Sequence, residues 1–115
     1  MANLLVLVLK DVEKCPQIIE AWERAGVSGI TLLDSVGSRQ LRERARRDDV
    51  PLMPSIHTLL ASAETHNRTM FAVIGDDAVL ERVVTATQEI VGDLAQPNTG
   101  ILFVVPVTRA WGIRG

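Results

Sequence analysis

Tyrosine is absent from the 115 residues, cysteine occurs once, and phenylalanine and tryptophan occur twice each. So small an aromatic supply argues against a platform on which nucleic-acid bases stack. The single thiol, Cys15, excludes an internal disulfide framework and a cysteine-based zinc site. Charge of one sign is lacking too. Twelve basic and 14 acidic residues leave a formal net charge of −2, so the chain as a whole does not attract nucleic acid or an anionic membrane. The longest apolar runs, residues 4–9 and 101–107, are far shorter than a bilayer span. No basic stretch precedes the first run, and Lys10 and Asp11 cut it short, so no signal peptide and a cytoplasmic location are expected.

What is present is apolar material in short blocks. Hydrophobic residues make up 47% and charged residues 23% of the chain, ordinary values for one globular domain and too apolar for extended disorder. Asn3-Leu-Leu-Val-Leu-Val-Leu9 is apolar on consecutive positions, the pattern of a central strand buried on both faces. Asp11 and Pro16 suit the start of a helix. Ile18, Trp22 and Ala25, with Ile19, fall on its inner stripe, and Gly26 closes it. A second strand is expected over residues 29–36, a third over 69–74 and a fourth over 101–107. Pro106 cannot donate to a ladder and therefore puts the fourth strand at an edge or a bulge. Gly75-Asp-Asp77 reads as a turn and cap before a second helix with Val79, Val83, Ala86 and Ile90 on one stripe. Residues 110–113 are read as a short fifth strand.

Between the second and third strands the pattern changes. Residues 38–47 hold five arginines in ten positions. Arg42, Arg44, Arg46 and Arg47 read either as a solvated helix face or as a surface for an acidic partner, and both readings stay open. Ile56, Leu59, Leu60 and Ala63 follow helical spacing after Ser55. His57 and His66 are not at a ligand spacing, and no carboxylate or thiol pattern completes a metal site. No nucleophile–base pair or paired carboxylates stand out either. The order β-α-β, insertion, β-α-β fits an α+β fold of the ferredoxin-like, split-βαβ kind: an antiparallel four-stranded sheet with both helices on one face. Strands apolar on nearly every residue leave the other face in need of cover, which other subunits supply most simply.

Several segments then resemble one family, the P-II nitrogen-regulatory signalling proteins. Gly26-Val-Ser-Gly-Ile-Thr31 resembles their G-I-x-G-M-T. Asp76-Asp-x-x-Leu-Glu-x-Val-Val84 resembles D-D-x-x-V-x-x-V-V, and Gly100-Ile-Leu-Phe-Val-Val-Pro-Val107 resembles G-K-I-F-V-x-P-V. Ile113-Arg114 resembles the end of a terminal R-I-R. The resemblance implies a non-enzymatic, PII-like homotrimer with ferredoxin-like protomers. It implies an adenine nucleotide (ATP, ADP or AMP) as effector in clefts between subunits, and signalling to a target protein through a T-loop. The loops fall at residues 37–68 (T-loop), 92–100 (B-loop) and 108–115 (C-loop). The implied ligand-binding residues are Gly37, Ser38, Arg39, Gln40, Gly100 and Arg114. A membrane transporter is among the implied targets, without membrane insertion and without nucleic-acid binding.

Departures from the family pattern are specific. Ile101 stands where the B-loop lysine would be, and Gly112 replaces the first arginine of R-I-R. Arg68, Arg109 and Arg114 are the cations available as substitutes. The missing tyrosine excludes uridylylation of the T-loop. Two other functions remain: a ligand-free structural or interaction trimer of the same fold, and a small ferredoxin-like enzyme, which has only the fold in its favour.

Overall fold

A computed structural model describes residues 2–35, 67–96 and 99–113. Strand β1 (Ala2–Leu9) leads through a single 3-10 turn (Val12–Lys14) into helix α1 (Cys15–Ala25) and strand β2 (Thr31–Ser35). Strand β3 (Asn67–Ile74), helix α2 (Asp77–Val91) and strand β4 (Gly100–Val107) follow. The strands form one sheet in the order β2-β3-β1-β4, and each neighbouring pair is antiparallel. Each β-α-β half therefore straddles a strand of the other half, which is the ferredoxin-like arrangement expected. β1 is central and β4, with Pro106, is an edge, the kind of strand on which proline is tolerated.

The helices close as their ends require. Gly26 takes a left-handed φ of 114° at the end of α1, and its amide donates to the carbonyls of Glu23 and Trp22. Arg82 of α2 donates from Nη2 to the Ala25 carbonyl at 3.1 Å, so α2 satisfies an acceptor that α1 leaves open. Asp76 caps α2, its carboxylate accepting from the Ala78 amide at 2.8 Å, where the helix dipole favours an anion.

Alternation along β1 sets the two sheet faces. Leu5, Leu7 and Leu9, with Met70, Ala72 and Ile74 of β3, are buried under the helices and pack against Ile18, Trp22, Val79 and Val83. The helices cover this central pair better than the edges: on the same face Leu32 of β2 and Val104 of β4 remain 39% and 41% exposed. The core contains a polar contact between the two helices. The Trp22 indole N–H donates to Thr87 Oγ1 at 2.8 Å, and the Thr87 hydroxyl donates to the Val83 carbonyl at 2.7 Å. Because Thr87 is the inward residue, the buried stripe of α2 runs Val79, Val83, Thr87 and Val91. The expected Ala86 and Ile90 lie beside it, half-buried.

No helix of the described residues covers the opposite face. Register places Thr31, Phe71, Val6 and Phe103 in one row across it, and Leu33, Thr69, Val8 and Ile101 in the next. Val73, Leu4 and Val105 form a third. No charged side chain occurs in these rows, and Leu33, Ile101, Phe103 and Val105 are exposed. The strands are thus apolar on both faces, as the sequence implies.

Element boundaries differ from expectation. β2 begins at Thr31 and not at residue 29, and β4 at Gly100 and not at residue 101. Asn67 and Arg68, expected to end the insertion, open β3 because they pair with Ser35 and with Asp34 and Leu9. Residues 110–113 bend at Trp111 and Gly112 and form no fifth strand: Gly112 has a φ of 87°, far from extended backbone. Among the described residues no helix is long and apolar enough to cross a membrane.

Candidate functional site at the strand ends

β2 and β1 end, and β3 and β4 begin, at the same end of the sheet. Asp34, Arg68, Leu9 and Gly100 lie in one register row there, with Ser35 and Asn67 one position further out. Adjacent strands are about 4.8 Å apart, so the row spans about 14 Å from Asp34 to Gly100. Polar side chains gather on its β2–β3 half. Arg68 Nη2 meets Asp34 Oδ1 at 3.1 Å, with the two side chains 36% and 59% exposed. Water screens such a pair to about 0–1 kcal/mol, so its main effect is to hold the guanidinium in place. Ser35 Oγ donates to the Asn67 carbonyl at 3.3 Å and lies 2.9 Å from Thr69 Oγ1. Asn67 Oδ1 and Arg68 Nε are buried and find no hydrogen-bond partner among the described residues.

Gly100 is required by the backbone before any ligand is considered. Its φ is 131°, and a Cβ there would collide with the carbonyl oxygen of Val8. Only glycine allows β4 to start this close to β1. Ile101 is 61% exposed on the open face. Of the other implied ligand-binding residues, Gly37, Ser38, Arg39 and Gln40 follow Ser35 in the chain and lie outside the described residues, as does Arg114. The arginine-rich stretch, Ile56 and its stripe, His57 and His66 lie outside them too.

The C-terminal segment is at the far end of the sheet. Val107 pairs with Ala2, and Ile74 with Asn3, at the opposite end of β1 from Gly100. Ile113 returns beside Gly75, just after Ile74: a Cβ placed on Gly75 would sit 3.8 Å from Ile113 Cγ2. Eight residues of strand separate the two ends by about 25 Å. Arg109, exposed after β4, belongs to this far end. Within one protomer Gly100 and the end of β2 therefore share one end of the sheet, on its opposite edges, and the segment up to Ile113 is at the other end.

Among the described residues the strand ends offer amide, hydroxyl, guanidinium and carboxylate groups: Ser35 bonds the Asn67 carbonyl and lies beside Thr69, and the Asp34 carboxylate is paired with Arg68. A guanidinium and amide groups are of the kind that hydrogen-bond an anion. Among the described residues no three His, Cys, Asp or Glu side chains cluster as metal ligands. A groove of about 450 Å³ between α1 and α2 lies elsewhere, floored by Ala21, Ala25 and Ala86. The sequence does not show that Asp34 fixes Arg68 or that Asn67 is buried, because both follow from register. The only available signal was the position of Asp34 and Arg68 at the ends of consecutive strands.

These features define a class: an open-faced α+β sandwich whose polar groups collect at one set of strand ends. The chain belongs to the family of nitrogen regulatory protein P-II, whose family model matches residues 3–115. No curated protein sequence is a match. Among solved structures, an Arabidopsis thaliana PII bound to citrate is similar at 17% identity and a TM-score of 0.58, covering 92% of this chain and 77% of that one. A B. subtilis GlnK–ATP complex is similar at 12% identity and a TM-score of 0.60, covering 93% and 84%. At such identities the likeness is one of fold.

Proposed function

We propose that this chain is a non-enzymatic regulatory protein of the cytoplasm, a homotrimer that binds an adenine nucleotide in clefts between subunits. It signals to a target protein, a membrane transporter among the candidates, through residues 37–68. The observation that carries the reading is the separation of the family-matched segments. Gly100 and the end of β2 lie at one end of the sheet, and Ile113 lies at the other. A site built from Gly37, Ser38, Arg39, Gln40 and Gly100 together with Arg114 then needs Arg114 from another copy. The uncovered, charge-free sheet face supports assembly, and a related GlnK in complex with ATP supports the effector.

Calorimetry with ATP, ADP, AMP and a cyclic dinucleotide tests this. A charge-assisted contact contributes roughly 1.5–3 kcal/mol, so with Ile101 in place of lysine the affinity is expected about ten- to a hundredfold below that of relatives that keep it. Arg39→Ala and Arg114→Ala each lower it by a similar factor, and Arg44→Ala changes little. Absence of binding at millimolar nucleotide favours the second reading, a ligand-free interaction trimer of the same fold. The exposed Ile101 and the glycine at position 112 are the observations on its side.

A further inference from the structure

Trp111 is 83% exposed, the highest exposure among the described large hydrophobic residues. It does not sit on a free tail. β4 holds the segment before it through the pairing of Val107 with Ala2, and Ile113 sits beside Gly75 after it. Between these two fixings, residues 108–112 form a short bridge, and Gly112 turns the backbone at a φ of 87°. The indole is therefore presented outward by a segment held on both sides. An aromatic side chain of this size carries about 150–250 Å² of surface to bury, and solvent offers it nothing.

We infer that Trp111 is an interface anchor that seats on a second copy of this chain, at the rim of the contact that joins the subunits. The inference rests on the trimer proposed above and adds the residue that locks it. Three observations identify the occupant as another copy. The first is area. Leu33, Val73, Ile101, Phe103 and Val105 on the open face, with Trp111 and Ile113 beyond its end, are each at least 36% exposed, which amounts to several hundred Å² of apolar surface, approaching the ~800 Å² that one partner contributes to a standard stable interface. A monomer rarely leaves that much uncovered. The second is charge. The open face has no charged side chain in its paired rows, so it suits an apolar surface such as its own and gives a charged partner nothing to pair with. The third is continuity. Val73, Leu4 and Val105, the last row of that face, lie at the same end of the sheet as the Trp111 segment. A contact covering the face reaches the end of the sheet from which the Trp111 segment leaves. A tryptophan in this place is the residue type that dominates association energies.

The two tryptophans report on the arrangement separately, because Trp22 is 0% exposed within one protomer. Sedimentation equilibrium and acrylamide quenching on the full chain form the test. In the assembled protein both indoles are shielded. On dilution to the monomer one becomes accessible, and the variant Trp111→Phe shows only the shielded indole at every concentration. Trp111→Ala weakens assembly at least about tenfold while its far-UV circular dichroism matches the parent, and Trp111→Phe restores most of the loss. A stable trimer in which one indole is freely quenched, with Trp111→Ala assembling as the parent does, overturns the inference and leaves the trimer standing; Trp111 then faces solvent or another protein. A monomer at all concentrations overturns both.

Discussion

Thr87 is the only described polar residue, besides Asn67, that the protein buries almost completely, and its hydroxyl has two duties. It accepts the Trp22 indole N–H and donates to the Val83 carbonyl four residues back. The Val83 carbonyl also accepts the Thr87 amide within the helix, so the group that depends on the hydroxyl is the indole N–H, which unpaired in an apolar core costs about 1–3 kcal/mol. Thr87→Val keeps the shape and removes the indole's acceptor, so urea unfolding is expected to show a loss of about 1–3 kcal/mol. Thr87→Ser keeps the hydroxyl and is expected to lose less. Gly100 sets a similar residue-scale constraint on the backbone. Gly100→Ala places a methyl group against the Val8 carbonyl at a φ that L-residues avoid. An expected loss of about 2–3 kcal/mol in the same measurement distinguishes a backbone requirement from a ligand role, since it appears without any nucleotide present.

At the scale of elements, local chemistry was legible wherever a single residue decides it. Gly26 at the end of α1, Asp76 before α2 and Pro106 on an edge each read directly, because φ > 0, a capping carboxylate and a missing amide are properties of one residue. The stripe of α2 did not read correctly at its C-terminal half. Hydropathy favours Ala86 and Ile90 over Thr87, and only the partner on α1, Trp22, makes Thr87 the inward residue. The start of β3 was set two residues late for a comparable reason: Asn67 and Arg68 are poor strand formers in isolation and become strand through pairing with β2 and β1. The register row at the strand ends was equally hidden, so Asp34 and Asn67 went unnoticed while Gly100 stood out as a glycine. Gly26→Ala tests the simplest of these elements. Its Cβ would lie 3.3 Å from Val79 Cγ2 at a φ of 114°, and thermal unfolding is expected to show a loss of about 1 kcal/mol. Arg82→Ala, which removes the donor to the Ala25 carbonyl, is expected to cost about 0.5–1.5 kcal/mol.

At the scale of the whole molecule the two sheet faces pose different problems. One is closed by α1 and α2 over the central strands; the other presents rows of Val, Leu, Ile and Phe with nothing from the described residues above the exposed ones. Apolar burial contributes about 25 cal/mol per Å², so a face of several hundred Å² provides ample drive for association after the cost of immobilising the partners. Phe103 is the sharpest point at which to oppose it. It is 43% exposed, on an edge strand, and its register partner is Val6 on the same face. A charge there meets no barrier in the monomer, because water reaches the position already, but it would have to be desolvated in an assembled face that offers no counter-charge. Phe103→Lys is therefore expected to leave the monomer folded and to abolish assembly at micromolar concentration, as read by sedimentation equilibrium beside circular dichroism. The parallel substitution Val104→Lys, on the helix-side face at the same edge, is expected to disturb assembly less. If Phe103→Lys assembles as tightly as the parent, the open face is not the one that joins the subunits, and the drive for assembly must come from the sheet edges alone.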